Sequence, residues 1–261
     1  MTDWLHDFSP WLTAPIVVTV FVVIAMAGLA STRGWMRRRG VHAIIDNNVV
    51  GAMFSGMLTM YSITIGLTAV ASWNNAVAAA DVTSLEAAEL AAAYRDLEGY
   101  PEPLRSDLRR RLRRYVEHEI EAAWPSHQRG EESHAGTAKL DDFQSALYVF
   151  QPTTDSQRIV HAEALDSYNR IIESRRQRLE AVTGGVPGTL WSVVLVGAAL
   201  SIAASWLFSL ESVTIHAIMS GLLAAMIGLL VFFIAVTDRP FQGANGIGPD
   251  AYRLILRDVM G

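Results

Sequence analysis

Residues 47–97 read NNVVGAMFSGMLTMYSITIGLTAVASWNNAVAAADVTSLEAAELAAAYRDL. Within them, residues 49–73 contain no Asp, Glu, Lys or Arg, and a stretch of that length crosses a hydrocarbon core about 30 Å thick. From Ala76 to Leu97 the chain is Ala-rich and free of Gly and Pro, so nothing interrupts a helix at the membrane surface. The two parts together predict one helix of about 50 residues, roughly 75 Å long, that begins in lipid and ends in water. Asn47-Asn48 mark its entrance to the membrane and Trp73-Asn74-Asn75 its exit. Gly99-Tyr100-Pro101 stops it.

Outward from this helix the chain divides by charge. The 261 residues are 51% hydrophobic but only 18% charged, against about 25% charged in a soluble domain. The deficit is local. Residues 11–30 and 190–236 contain a single acid, Glu211, and no Lys or Arg, as expected where a charge at the bilayer centre costs several kcal/mol. Four spans follow: about 11–30, 49–73, 190–210 and 213–236. A signal peptide ending near Ala25-Met26-Ala27 is the competing reading of the first, but Asp3 and Asp7 stand where a basic segment is needed. Only Leu210-Glu211-Ser212 separates spans three and four, which form a tight antiparallel hairpin. Trp11, Trp35, Trp73, Trp191 and Trp206 lie near span ends, where an indole sits half wet. The fold class is therefore an all-α membrane protein. Its four transmembrane helices form two hairpins, 1–75 and 184–236, with a helical soluble domain at 76–183 between them and a tail at 237–261.

The middle domain reads as helix throughout. A second helix starts near Pro101–Pro103, where proline suits a first turn, and ends at Trp124-Pro125. Residues 126–138 are polar, 140–150 form a short helix, and a last helix runs from about 154 to 182. With four spans, both termini and this domain share one side of the membrane. The arginines do not settle which. Arg33, Arg37, Arg38 and Arg39 draw the first loop inward, whereas Arg170, Arg175, Arg176, Arg178, Arg239, Arg253 and Arg257 draw the other side.

Candidate functional residues concentrate on the second span. Asn48, Ala52, Ser55, Thr59, Ser62, Gly66, Ala69 and Trp73 recur at a 4-3-4-3 spacing that keeps them on one helix face. Two readings stand. Small and hydroxyl residues let membrane helices pack closely; alternatively, copies of this face around an axis wall an aqueous pore. Asp46 and Asn48 at one mouth, with Asn74 and Asn75 at the other, are candidate selectivity positions. Two further small-residue ridges, Gly197, Ser201, Ser205 and Ser220, Ala224, Gly228, read as packing faces. His216, near the start of the fourth span, suits an interfacial position.

The helix from Leu104 to Ala123 carries Arg105, Arg109, Arg110, Arg111, Arg113 and Arg114, then Glu117, Glu119 and Glu121. That pattern is a solvated, salt-bridged face or an anion-collecting vestibule. His118 and Glu121 are spaced to touch one metal, but no matching pair occurs elsewhere, so no metal or cofactor is expected. No cysteine is present, which excludes disulfides and thiolate chemistry. No nucleophile elbow, P-loop, zincin or dinucleotide fingerprint occurs, so no enzyme is expected. The net charge of −5 argues against nucleic acid.

These segments resemble the bacterial bestrophin-like membrane family over almost the whole chain. The marks are Asn47-Asn48-Val49-Val50-Gly51 and Trp73 at the ends of span two, then Glu86, Tyr94-Arg95, Pro101-Glu102-Pro103, Tyr115 and Trp124-Pro125. Arg175-Arg176-Gln177-Arg178-Leu179, Pro187 and Leu190-Trp191 follow. The most specific is Asp238-Arg239-Pro240-Phe241-Gln242-Gly243 after span four, read as a structural motif in which Asp238 and Arg239 anchor the helix end. Pro240 and Gly243 then turn the chain. Where the family usually places an acid before the Trp-Pro pair, this chain has Ala123. The resemblance implies a homo-oligomeric ion channel, pentameric by analogy, in a bacterial inner membrane. Its second span would line the pore through Asn48, Ser55, Thr59, Ser62 and Gly66, and its partners would be the bilayer, its own copies and small inorganic ions. The alternative is a membrane-anchored interaction or signalling protein without conductance.

Overall fold

The computed structural model describes residues 10–39, 46–243 and 246–261; Asp3 and Asp7 lie outside them. The described residues are helical and contain no strand. In order the helices are α1 (Pro10–Arg39), α2 (Asn47–Asp96), α3 (Leu104–His118), α4 (Trp124–Gln128), α5 (Ala135–Val149), α6 (Asp155–Thr183), α7 (Gly188–Ser205), α8 (Val213–Thr237) and α9 (Asp250–Asp258). Four stretches are long and apolar enough to cross a membrane. They lie in α1, the first half of α2, the apolar segment ending with α7, and α8. The expected 50-residue helix is present as α2, closed by a 3₁₀ turn at Leu97–Gly99. The chain forms two compact units, residues 1–74 with 185–238 and residues 75–184 with 239–261, and α2 contributes to both.

In the first unit α1 packs chiefly on α8, and α7 packs on both. Lipid tails are as apolar as leucine, so association rests on close contact between small residues rather than on exclusion of water. Gly228 of α8 shows this: a Cβ there would sit 3.1 Å from Phe21 of α1. Gly197 of α7 leaves the space filled by the Tyr61 ring, whose hydroxyl donates to the Val194 carbonyl at 3.2 Å. Gly28 receives the Trp206 indole, whose Nε1–H donates to Ala25 O at 3.0 Å. Both small-residue ridges thus lie largely in helix contacts. His216, in the first turn of α8, is buried, with Nε2 2.9 Å from the Ser205 carbonyl. Only 11% of the apolar window in α2 is buried within the chain, against 33% in α8, so most of the α2 span is left to meet lipid or further copies.

The second unit is built as a water-soluble domain. Ala79, Thr83, Glu86 and Leu90 of α2 point inward at 4-3-4 spacing, as do Leu108, Leu112 and Tyr115 of α3. Leu140, Phe143 and Leu147 of α5 and Tyr168 and Ile171 of α6 complete the core. Thr154 and Gln157 form a capping box at the start of α6.

Two boundaries differ from the sequence expectation. Helix continues past Trp124-Pro125 to Gln128 because a π-turn occupies Glu119–Ala123. There the Trp124 amide donates to the Glu119 carbonyl five residues back, and Pro125, which has no N–H, falls at the opening of the next turn. The 237–261 stretch is not a free tail. Tyr252, Ile255 and Met260 are buried in the second unit, Arg113 donates to Met260 O at 2.6 Å, and Trp124 donates to Ile247 O at 2.9 Å. Replacing Leu112, fully buried in this core, with Ala should cost about 2–5 kcal/mol, measured as a lower unfolding midpoint of the purified protein in detergent.

Candidate functional site

The buried side of the α2 span comprises Tyr61, Ile65, Thr68, Ala69 and Ser72. Ser72 Oγ meets Thr237 Oγ1 at 2.8 Å, and Trp73 stacks on Phe233 with centroids 6.2 Å apart. The polar stripe lies on a different side. Asn48, Ala52, Ser55, Thr59 and Ser62 are exposed and Gly66 half-buried; only Ala69, at its far end, turns inward. Thr59 donates its hydroxyl proton to Ser55 O at 2.8 Å and Ser62 donates to Leu58 O at 2.7 Å. With their protons so engaged, these oxygens present lone pairs outward, an acceptor surface for water or cations. Beside the stripe runs a face of exposed large apolar residues: Met53, Met60, Ile63 and Leu67.

At the start of α2, Asp46 is exposed and its Oδ1 accepts from the Asn48 amide at 2.8 Å, an N-cap that satisfies one of the helix's unpaired donors. Asn47, read from sequence as an entrance marker and a family mark, grips the span-three/four turn in both directions. Its Nδ2 donates to Ser209 O at 2.7 Å, and the Ser209 amide donates to its Oδ1 at 2.9 Å. Asn74 and Asn75 are both exposed.

The Asp238–Gly243 motif works in two places. Asp238, 8% exposed, accepts from the Val186 amide through Oδ1 and from Trp191 Nε1 at 3.1 Å through Oδ2. It thereby ties the end of α8 to the start of α7. Phe241 is buried in the second unit beside Trp124 and His127. Pro240 O accepts from the Ile247 amide at 2.8 Å, and Gly243 supplies the left-handed turn, φ +79°. Arg239 is half-buried.

The arginine block of α3 is largely neutralised. Arg105 and Arg109 pair with Glu98, Arg110 and Arg111 with Asp107, Arg111 also with Asp142, and Arg113 with Glu117. His118 and Glu121 gather no further ligand; no group of three potential metal ligands occurs among the described residues.

The strongest electrostatic feature is one the sequence reading did not assemble. Arg178, wholly buried, donates from Nε to Glu86 Oε2 and from Nη2 to Glu119 Oε2, each at 2.6 Å, and both carboxylates are sealed from water. Its guanidinium lies over the Trp124 and Tyr252 rings, 5.3 and 5.7 Å from their centroids. Tyr115 donates to Glu86 Oε1 at 2.9 Å. His127 Nδ1 lies 3.2 Å from Arg178 Nη1; burial, then the charges of Arg178 and Arg175, push its pKa down to about 3. It is therefore a neutral acceptor. Burial works against the charge of Arg178, but the surrounding acids hold its pKa well above the ordinary value. In the sequence Glu86 appears only as a family mark, and Arg178 as a family mark and one of the arginines weighed for orientation. The signal that would have placed them is a charge at a core position: Glu119 follows Leu108, Leu112 and Tyr115 at the same spacing, and Arg178 falls between Ile171 and Val182.

The helices, their spans and this interior define an all-α membrane protein with a soluble helical unit. The Bestrophin-like domain model matches residues 19–252, and the chain belongs to the bestrophin-like family. A solved bacterial bestrophin homologue from Klebsiella pneumoniae carrying a point substitution aligns over 95% of this chain and 97% of its own, at 14% identity and TM-score 0.68. A second structure of a Klebsiella pneumoniae homologue, phased on zinc, gives 14% identity, 94% and 96% coverage and TM-score 0.68. A structure described as a membrane protein with a point substitution gives 15%, 95%, 98% and 0.70. Among curated proteins none matches in sequence.

Removing Arg178 strands two buried carboxylates. Arg178→Met should destabilise the folded protein by about 3–5 kcal/mol at neutral pH. Part of that loss should return on acidification, as protons replace the missing cation; unfolding midpoints at neutral and acidic pH check both signs.

Proposed function

We propose that this chain is one subunit of a homo-oligomeric ion channel of bestrophin-like type, with the α2 face bearing Asn48, Ser55, Thr59, Ser62 and Gly66 lining the pore. The carrying observation is that this polar stripe is exposed along most of its length while a different side of the same helix packs against α7 and α8. A hydroxyl and amide face within a membrane span needs water or polar partners, and copies arranged about an axis provide them. The neighbouring apolar face, Met53, Met60, Ile63 and Leu67, is suited to contacts between copies and with lipid. Family membership supports the same reading, with a pentamer as the assembly suggested by analogy and a bacterial inner membrane as its location.

The pore mouths are Asp46 at one end and Asn74 and Asn75 at the other. Outward lone pairs on Thr59 and Ser62 and a ring of exposed Asp46 carboxylates favour cations. The opposing claim of the α3 arginines is weakened because five of the six are held in ion pairs with acids. We therefore assign the channel a preference for cations over anions.

Thr59→Trp or Ser62→Trp, reconstituted in vesicles, should lower ion flux to a small fraction of wild type while assembly is retained on a sizing column. Undiminished flux in the assembled variant would remove α2 from the pore wall, and no flux in wild type would favour an anchored interaction protein. Reversal potentials across a salt gradient should lie on the cation side, and Asp46→Asn should move them toward zero.

A further inference from the structure

Two buried carboxylates share one guanidinium in the second unit, and their remaining oxygens are treated unequally. Glu86 Oε1 receives the Tyr115 hydroxyl at 2.9 Å and Arg178 Nη2 at 3.3 Å. Glu119 Oε1 is buried and receives no donor. Space beside it exists because residue 136 is glycine: a Cβ there would press directly on Oε1 and sit 3.2 Å from Arg175 Nη2. The π-turn that begins at Glu119 fixes the carboxyl in this position, and π-turns recur at functional sites.

The charged and titratable groups around Glu119 come from every element packed there. They are Glu86 of α2, Tyr115 of α3, His127 of α4, Arg175 and Arg178 of α6 and Tyr252 of α9; α5 brings only Gly136. Arg175 is 7% exposed and its Nε and Nη2 lack partners, so it adds positive field without closing a bond to Oε1. His127 is neutral and contributes none. Two cations therefore face two anions, but only Arg178 is fully engaged, and of the four carboxylate oxygens Glu119 Oε1 alone receives no donor.

We propose that Glu119 is a proton-binding site, taking one proton from solvent onto Oε1 while Oε2 keeps its bond to Arg178. One O–H bond forms, no bond breaks, and the Glu86–Arg178–Glu119 triad passes from two anions to one. Arg178 then pairs its charge with Glu86 alone. Because Glu86 belongs to α2, the proton count of the triad sets how firmly the second unit holds its own 75–96 part of that helix. Burial, opposed by Arg178, raises the Glu119 pKa from its ordinary value, in keeping with this. The folded chain binds the proton more tightly than the unfolded chain. The resulting stability is present below the ordinary glutamate value of 4.5 and is lost as pH rises through the folded-state value.

Infrared titration of the purified full-length protein tests this without reference to ion flux, so its result stands whether or not the protein conducts. A carboxylic-acid C=O band should persist above the ordinary glutamate range, vanish in Glu119→Gln and survive in Glu121→Gln, an exposed control. The melting midpoint of wild type should fall as pH rises through the band's titration, and that dependence should be absent in Glu119→Gln. Absence of the band in wild type overturns the proposal, as does a band that survives Glu119→Gln. Should Glu119→Gln not fold, Gly136→Ala, which crowds Oε1, must shift the band in frequency or titration midpoint; an unmoved band overturns it equally.

Discussion

A guanidinium sealed from water at the centre of the second unit constrains everything around it. Taking Arg178 out of solvent is unfavourable by several kcal/mol unless its charge is matched and its donors are used. Matching it takes Glu86 from α2 and Glu119 from the π-turn, and His127 from α4 accepts a further donor, so helices far apart in sequence must converge. Tyr115, Trp124 and Tyr252 wall the site and exclude water. Well-packed apolar side chains of equal volume often serve a core as well as a buried ion pair or better. The charges give directionality instead: one geometry satisfies them, and the rotation of the 75–96 part of α2 within the second unit is fixed with it.

In the first unit the governing constraint is the opposite solvent. Lipid supplies no hydrogen bonds, so many side-chain polar groups are satisfied within the helices or between them, although Ser201 Oγ and His216 Nδ1 are buried without a partner. Hydroxyls on α2 donate to carbonyls one turn back, Asn47 closes on the Ser209 backbone, and Asp238 takes two N–H donors at the start of α7. Each of these removes a penalty rather than adding a strong attraction. Close approach at Gly28, Gly197 and Gly228 then adds dispersion contact, joined at the first two by the Trp206 and Tyr61 hydrogen bonds.

The spans, their number and the unbroken length of α2 were legible because bilayers enforce long uncharged runs, a signal that needs no tertiary information. The polar stripe was legible from spacing. The Arg178 triad was not, although its parts were visible. Glu86, Glu119 and Arg178 each sit at a position that helical periodicity assigns to the core, but they are separated by 59 and 92 residues, and nothing local pairs them. Glu119 was further obscured by neighbouring Glu117 and Glu121, which make it look like one member of a solvated acidic block. The continuation of helix through Pro125 was missed because a π-turn carries no compositional mark. Asp238 was singled out, but its two donors, Val186 and Trp191, lie about fifty positions earlier and are recognised only once the chain is folded.

The clasp between Asn47 and Ser209 has a consequence for how the protein is made. Its two halves are 162 residues apart, so at about 5–20 residues per second the ribosome emits the second only on the order of ten seconds after the first. Through that interval the exposed Asn47 carboxamide at the head of α2 lacks its Ser209 partner, while the Thr59 and Ser62 hydroxyls are already satisfied by carbonyls of their own helix. Closure of this clasp therefore waits for the α7–α8 hairpin.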